Sequence, residues 1–232
     1  MARGKANITK LEIIQVATRM FLEKGFTHTS VKAVSDELGI STGNLTFHFP
    51  TKEHLLTVLV EMLCEFQRKM MEVAVDEGNS SVMAVCLELT AMAAICEENE
   101  IAKDFYLAAY THRMSLKCIR KSDAERAKQV YAQYCKGWTE AQHIEAEIIV
   151  SGIEYATLMS TDDLPLDARI AGALNAIMMV YGVPEEKRKQ KIQKVLAMDY
   201  YEIGRRILRE FMEYIKEGNE HALEERMQRN HK

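Results

Sequence analysis

Apolar residues recur at helical spacing along most of the chain. The first apolar face consists of Ile13, Val16, Ala17, Met20 and Phe21, and Gly25 follows it. This pattern predicts a helix that ends at Gly25. Similar faces predict further helices at about residues 30–38, 42–48, 52–76, 80–98, 101–112, 115–136 (broken near Ser122), 139–160, 166–182 and 186–217. The sequence has only 3 prolines and 11 glycines, too few for the many turns of a sandwich or barrel. The pattern therefore predicts an all-α protein.

Two short helices near the N-terminus are separated by a tight turn. Thr29 or Ser30 can cap the second helix, and Ser41 can cap the third. Gly39 ends the second helix, and Pro50 prevents the third from continuing. This spacing is typical of a helix-turn-helix, although an ordinary helical hairpin in a larger bundle fits the spacing equally well.

The composition is that of a folded protein, with 47% hydrophobic and 28% charged residues. No apolar run reaches the roughly 18–20 residues that a membrane span requires, and the N-terminal residues lack the apolar core of a secretory signal. The five cysteines show no paired spacing and fit free thiols in a reducing compartment. We therefore expect a cytoplasmic protein with no membrane association.

Positive charge is concentrated at the N-terminal end. Residues 1–35 contain six Lys or Arg and two Glu, so they carry +4 and the remainder carries −8. A basic end on an acidic body indicates an anionic partner at that end. Arg3, Lys5 and Lys10 form a candidate arm for nucleic-acid backbone contacts, and a solvated arm without such contacts is the alternative.

A set of residue identities at fixed spacings runs through residues 8–60. The set comprises Ile13, Val16, Ala17, Met20, Phe21, Gly25 and Phe26, then Thr29, Ser30, Val31 and Val34, then Leu38, Gly39, Ile40, Ser41, Gly43 and Leu45, and finally His48, Phe49, Lys52, Glu53 and Leu55. It resembles the DNA-binding domain of the TetR family of bacterial transcription regulators. The rest of the chain agrees with that family only in length and helical pattern.

The resemblance implies an organisation and a function. It implies a helix-turn-helix DNA-binding domain at residues 1–52, a helical effector-binding and dimerisation domain at 53–217, and then a polar tail at 218–232. The implied function is that of a repressor released from a palindromic double-stranded DNA operator by a small-molecule effector, with activation as an alternative. Two C-terminal helices of each subunit would form the homodimer; we favour 143–160 with 166–182, and 186–217 is a further candidate.

The resemblance also assigns roles on the DNA. The residues expected at phosphates are Thr29, Ser30, His48 and Lys52, and those expected at base edges are Thr42, Gly43, Asn44 and Phe47. Asn44 can form a bidentate pair with adenine, whereas Phe47 can touch a thymine methyl group or pack in the core. Thr46 stands where the family usually has a Tyr whose hydroxyl meets a phosphate, and Thr places its hydroxyl on a shorter side chain.

Aromatic and polar residues on the later, otherwise apolar helices are candidates for the effector pocket. They are Phe66, Met70, Met92, Cys96, Tyr106, Tyr110, Arg113, Tyr131, Tyr134, Trp138, His143 and Tyr155. Each has core packing as its alternative, with Tyr hydroxyl groups reaching the surface. Arg113 and His143 are candidate anchors for an anionic effector.

Two other classes of protein compete with the regulator. An enzyme is disfavoured because the sequence has no GxSxG, P-loop, GxGxxG or HExxH motif, and its His and Cys residues lack metal-ligand spacing. We therefore expect neither catalytic activity nor a metal or cofactor. A helical interaction scaffold that has lost DNA binding is the other alternative, and Thr46 is the feature that favours it.

Overall fold

In the computed structural model, residues 10–76, 80–160 and 163–230 are described, and all regular structure in them is helical. The eleven helices are α1 (Lys10–Lys24), α2 (Val31–Glu37), α3 (Thr42–His48), α4 (Lys52–Asp76), α5 (Ser81–Glu98), α6 (Glu100–Thr111), α7 (Arg113–Val130), α8 (Glu140–Met159), α9 (Leu166–Val180), α10 (Glu185–Leu196) and α11 (Tyr200–Asn230). The predicted all-α fold is confirmed.

Local capping determines where the short N-terminal helices begin. The Ser30 hydroxyl accepts a hydrogen bond from the Ala33 N–H of α2 at 3.0 Å, and the Ser41 hydroxyl accepts one from the Asn44 N–H of α3 at 3.2 Å. Gly39 adopts a φ of +64° immediately after α2, a conformation that favours glycine. The chain therefore turns within a few residues and places α3 across α2.

A shared apolar core holds α1, α2 and α3 against the start of α4. Ile13, Phe21, Val34 and Leu45 are each at most 1% exposed. The helix α4 packs on α1 and also on α5 and α7. The helix α4 therefore belongs to both halves of the molecule.

The helix α5 lies at the centre of the larger, C-terminal part of the chain. It is apolar on nearly all sides and is surrounded by α4, α6, α8, α9, α10 and α11. Gly204 allows a close approach of α11, because a Cβ atom there would lie 3.2 Å from the Ala91 carbonyl oxygen and 3.3 Å from the Ala94 Cβ. The backbones of α5 and α11 therefore approach closely.

Two of the predicted helices differ from those in the structure. The helix α7 runs without a break through Ser122, where the Asp123 carboxylate pairs with Arg126 of the next turn, and it ends at Val130 rather than 136. The segment predicted as one helix at 186–217 is two helices. The Asp199 carboxylate accepts a hydrogen bond from the Glu202 N–H and starts α11, whose backbone continues to Asn230.

Among the described residues, none of the helices has the length and apolar character that a bilayer crossing demands. The same residues contain no cluster of three or more His, Cys, Asp or Glu side chains with the arrangement of a metal site.

Candidate nucleic-acid interface and interior cavity

The helix α3 presents most of its side chains to solvent. Thr42, Gly43 and Asn44 are exposed, and Phe47 is 83% exposed with its ring edge-on to His48. Leu45 on the opposite side is fully buried and anchors the helix. The alternative in which Phe47 packs in the core is therefore wrong. The arrangement leaves a convex helix with a polar and aromatic outer face, a shape that fits a major groove.

Some of the predicted phosphate ligands are engaged within the protein. Thr29 is 1% exposed, and its hydroxyl donates to the Gly25 carbonyl oxygen at 2.8 Å, so the predicted role of its side chain at a phosphate is wrong. Ser30 is exposed, but its hydroxyl caps α2. The Thr46 hydroxyl donates back to the Thr42 carbonyl oxygen at 3.0 Å within α3. Its hydroxyl therefore does not replace that of a Tyr.

The ammonium group of Lys52 faces the loop between α1 and α2. Its Nζ donates to the Phe26 carbonyl oxygen at 2.8 Å and lies 3.9 Å from the centre of the Phe26 ring. Burial lowers the pKa of Lys52, and the neighbouring carboxylates of Glu53 and Asp104 offset part of this effect. Lys52 therefore fixes α4 to this loop, and its contact with a phosphate stays a prediction.

The described part of this interface is not strongly basic. Residues 10–53 contain five Lys or Arg and five Asp or Glu. Arg3 and Lys5, which supply the remaining positive charge of this end, lie outside the described residues. Any electrostatic attraction to phosphates from residues 10–53 therefore depends on local placement rather than on net charge.

The loop after α1 is hydrogen-bonded to α6. The Asp104 carboxylate accepts one hydrogen bond from the Thr27 N–H at 2.8 Å and a second from the Thr27 hydroxyl. Gly25 makes this approach possible, because its φ is +88° and a Cβ atom there would lie 2.7 Å from Asp104 Oδ2. At the other end of α6, the His112 ring packs edge-on against Phe26 with centroids 5.2 Å apart. The sequence contained no signal for these contacts.

A cavity of about 340 Å³ lies between α4, α5, α6 and α11. Its walls are mostly apolar and include four of the predicted pocket residues, Phe66, Met70, Met92 and Tyr106. The polar groups at its wall are few. They come from Gln67, Glu88, Arg206 and Glu210.

One polar atom at the cavity is unsatisfied. Glu210 Oε2 is buried and has no hydrogen-bond partner among the described residues, while Arg206 Nε lies 3.8 Å from Glu210 Oε1. Glu210 and Arg206 come from α11, which was not among the predicted pocket elements. Buried carboxylate oxygens are normally hydrogen-bonded, so this atom is a candidate acceptor for a donor in the cavity.

The other eight predicted pocket residues do not line this cavity. They are Cys96, Tyr110, Arg113, Tyr131, Tyr134, Trp138, His143 and Tyr155. Arg113 and Tyr155 are exposed, and the Trp138 and His143 rings pack on each other with centroids 5.3 Å apart. Cys96 is buried in the core, and Tyr134 borders a separate surface depression. These residues are therefore spread over several parts of the helical domain, because their side chains leave their helices on other sides.

Tyr110 and Tyr131 belong to a buried polar cluster among α5, α6, α7 and α8. Arg126 of α7 lies in this cluster and donates to Glu88 at 2.9 Å and to Asp123 at 2.9 Å. The Tyr110 hydroxyl donates to Glu154 at 3.0 Å, and the Tyr131 ring stacks on Tyr181 at 4.0 Å, centroid to centroid.

Burial changes the acidity of this cluster. Burial raises the pKa of Asp123 to about 6, and the Arg126 guanidinium offsets part of that rise. Burial and the nearby Asp123 carboxylate raise the pKa of Glu147 to about 7, while a hydrogen bond donated by the Tyr181 hydroxyl acts in the opposite direction. Burial also raises the pKa of Glu154 well above its ordinary value. The cluster therefore holds protons near neutral pH.

The outer surface of α8 and α9 is unusually apolar. Ile144, Ile148, Ile149, Tyr155 and Met179 are 37–58% exposed. Gly152 of α8 and Gly172 of α9 lie on the same surface, and a Cβ atom at either would meet nothing within 4 Å. A surface of branched apolar side chains with small residues between them is suited to close packing against other helices.

Comparison with known proteins identifies the N-terminal region. Residues 13–59 match the family model described as bacterial regulatory proteins, tetR family. Over these residues the chain is therefore similar to the tetR family. The TetR-family match includes α2, α3 and the first residues of α4, so it contains the exposed face of α3.

The similarity to a curated relative covers a short stretch of the chain. The chain is 35% identical over 57 residues to the HTH-type transcriptional repressor KstR2 of Mycobacterium tuberculosis, a match that covers 25% of this chain and 28% of that protein. The matched part therefore spans less than a third of the relative's length.

Solved structures extend the comparison to the whole fold. The Thermus thermophilus TetR-family transcriptional repressor FadR, in complex with lauroyl-CoA, superposes with a TM-score of 0.55 at 16% identity, over 72% of this chain and 92% of FadR. SmeT, the repressor of the Stenotrophomonas maltophilia multidrug efflux pump SmeDEF, gives 0.53 at 16% identity, over 78% of this chain and 98% of SmeT. At this identity the likeness shows that the TetR-type fold includes the C-terminal helices.

Proposed function

We propose that the protein is a homodimeric transcriptional repressor that binds a palindromic DNA operator and leaves it when a small molecule occupies the interior cavity. The observation that carries this proposal is the exposed face of α3 in a TetR-family domain. In it, Asn44 and Phe47 face solvent while Leu45 holds the helix from behind. We keep the division into a DNA-binding domain at 1–52, a helical domain at 53–217 and a C-terminal tail. Because an operator lies on the bacterial chromosome, the proposal also implies a cytoplasmic protein.

Asn44 and Phe47 would read the bases in the major groove. Asn44 has an amide that can both donate to and accept from adenine, and Phe47 offers an apolar ring for a thymine methyl group. Thr42 and Gly43 allow the N-terminal end of α3 to approach closely. His48, the second and third donors of the Lys52 ammonium group and the N–H groups at the start of α2 would bind phosphates, whereas the Thr29 and Thr46 hydroxyls bond within the protein.

The apolar surface of α8 and α9 supports the dimer. A single domain of this size contacts few bases, and two copies related by a twofold axis would read half-sites roughly 34–36 Å apart. The exposed Ile144, Ile148, Ile149 and Met179 provide an apolar surface that a second copy would remove from water. The pairing of α8 with α9 across a twofold axis is the arrangement we favour.

The cavity supports an apolar effector that carries a hydrogen-bond donor. Its volume of about 340 Å³ lies near the lower end of the range for small-molecule sites. Methionine side chains at Met70, Met71 and Met92 make its wall adaptable. The unsatisfied Glu210 Oε2 would accept a hydrogen bond from a hydroxyl or amine of the ligand. FadR is known with bound lauroyl-CoA, an acyl compound with a long apolar tail, and a ligand with a similar tail suits these walls.

The helix α6 connects the cavity with the DNA-binding domain. Tyr106 lines the cavity, and Asp104, two residues earlier, holds the α1–α2 loop through Thr27. A ligand that moves α6 or α4 would therefore change the position of α3. If the effector favours a position of α3 that does not fit DNA, it lowers the affinity for DNA. By linkage, DNA then lowers the affinity for the effector by the same factor.

A DNA titration tests this function. The protein would be titrated against the operator it selects and against unrelated DNA at several salt concentrations. The proposal predicts tight binding to the operator that weakens steeply with salt, and loss of preference in Asn44→Ala. Equal affinity for both DNAs in the unaltered protein would exclude the regulator and favour the scaffold.

A further inference from the structure

The wall of the interior cavity carries more negative than positive charge. Glu88 of α5 and Glu210 of α11 line the cavity, and Arg206 of α11 is the one basic side chain among the described residues that line it. The fixed charges on a mostly apolar wall are therefore two carboxylates against one guanidinium. Such a wall attracts a positively charged ligand group and repels a negatively charged one.

Arg206 neutralises Glu210 only weakly. The Arg206 side chain is 58% exposed, and its Nε lies 3.8 Å from Glu210 Oε1, which is too far for a hydrogen bond. The other oxygen, Glu210 Oε2, is buried and has no hydrogen-bond partner among the described residues. A carboxylate oxygen gains most from a cationic donor, because hydrogen bonds between charged groups are about twice as strong as neutral ones. Glu210 therefore offers an acceptor that suits a cation.

The carboxylate of Glu88 is held by a cation that lies outside the cavity wall. Arg126 Nη2 donates to Glu88 Oε1 at 2.9 Å and to Asp123 Oδ1 at 2.9 Å. One guanidinium therefore serves two carboxylates, so this side of the cavity has no excess of positive charge. An anionic ligand group would find no cation to bind at Glu88, whereas a cationic group would be attracted there as well.

We propose that the effector of this cavity is an amphipathic amine, with an apolar body between the apolar walls and an ammonium group that donates to Glu210 Oε2. This inference rests on the proposed function, because it names the ligand class of the same cavity. A primary amine is protonated at neutral pH, as the lysine side chain is. It supplies both a hydrogen-bond donor and a positive charge, whereas an alcohol supplies only the donor and an ionised carboxylate supplies neither.

Three ligands with the same apolar tail test this preference. Isothermal titration calorimetry of the full-length protein, at neutral pH and without DNA, would compare n-octylamine, n-octanol and octanoate. We expect n-octylamine to bind about fivefold more tightly than n-octanol, because a charged donor replaces a neutral one at a partly exposed carboxylate. Octanoate should bind more weakly than both. Equal affinities for the amine and the alcohol, or tightest binding of octanoate, would overturn the proposal.

Variants of α11 locate the ammonium group. Glu210→Gln should reduce the affinity for n-octylamine to that for n-octanol. Glu213→Gln is the matched control, because Glu213 is exposed on the same helix and does not line the cavity, and it should leave both affinities unchanged. Arg206→Ala should raise the affinity for n-octylamine, because it removes the competing cation. Circular dichroism checks that each variant is folded. An unchanged preference for the amine in folded Glu210→Gln would contradict the assignment.

Operator binding separates this inference from the proposed function. If n-octylamine binds with the expected preference and the affinity for the operator stays the same, the ligand class is correct and the proposed release from DNA is wrong. If n-octanol or octanoate releases the operator and n-octylamine does not, the release is correct and the amine proposal is wrong.

Discussion

The hydrogen bonds between Asp104 and Thr27 offer a direct test of how the two halves of the molecule are joined. Asp104→Ala removes the acceptor of both bonds, whereas Thr27→Ala removes only the hydroxyl donor and leaves the backbone N–H of residue 27 in place. The two changes therefore overlap in one interaction. A double-mutant cycle isolates that shared hydrogen bond.

The expected magnitudes follow from the partial exposure of the contact. Hydrogen bonds to charged groups contribute about 1.5–3 kcal/mol when well shielded, and solvent access reduces this to about 1 kcal/mol for each bond here. Asp104→Ala should then cost about 2 kcal/mol of unfolding free energy and Thr27→Ala about 1 kcal/mol. The double variant should also cost about 2 kcal/mol, since the hydroxyl bond is already lost, which leaves a coupling energy of about 1 kcal/mol.

Urea unfolding at one fixed protein concentration measures these values, because dimerisation would otherwise change the apparent stability. Thr111→Ala supplies the matched control, since the Thr111 hydroxyl bonds to its own helix at the Leu107 carbonyl oxygen. In the double variant with Asp104→Ala, the costs of Thr111→Ala and Asp104→Ala in unfolding free energy should add to within roughly 0.5 kcal/mol. If the costs of Thr27→Ala and Asp104→Ala simply add in the double variant, the coupling energy is zero. That result would refute the contact as a link between α6 and the α1–α2 loop.

Three further outcomes are expected. Asn44→Ala should relax base preference at one position of each half-site, while His48→Ala should weaken binding to all sequences alike. Selection of binding sites with each variant measures this, and an unchanged base preference in Asn44→Ala would place the reading face elsewhere. Glu147 has a pKa near 7 in the folded protein against 4.5 ordinarily, so the folded state binds more protons between these values. The unaltered protein should therefore lose up to about 3 kcal/mol relative to Glu147→Gln as pH rises from 4.5 through the folded-state pKa, and the loss should level off about one pH unit above it. Urea unfolding at each pH measures this, and a constant difference would contradict the buried carboxyl. Ile148→Asp should convert the dimer to a monomer in analytical ultracentrifugation, whereas Glu145→Ala on the same helix should leave the dimer intact. If both variants remain dimers, Ile148 of α8 does not lie in the dimer interface.

Local signals explain what the sequence predicts well. The beginning of α3 follows from Ser41, whose hydroxyl bonds an N–H three residues later, and the inward position of Leu45 follows from the short apolar pattern. The identities around these residues also carried the family resemblance. All of these signals lie within a few neighbouring residues, so no knowledge of distant packing was needed.

Features that depend on packing were not predictable in the same way. Thr29 looks like a surface cap in the sequence, yet its side chain turns inward to the Gly25 carbonyl oxygen once α1 and α2 pack together. The cavity includes Arg206 and Glu210 because α11 crosses α4 and α5, which no local pattern reveals. The break that creates α11 depends on a single side-chain cap at Asp199. The Asp104–Thr27 contact joins positions 77 residues apart.

Selection of binding sites from a random double-stranded DNA library tests the central claim most directly. The purified protein would be used at low and moderate salt, and the enriched DNA sequenced. The account predicts one enriched inverted repeat, with half-site centres about 10 base pairs apart or a multiple of this, as a twofold-symmetric pair of α3 helices requires. A pool without any enriched sequence at either salt concentration would contradict it.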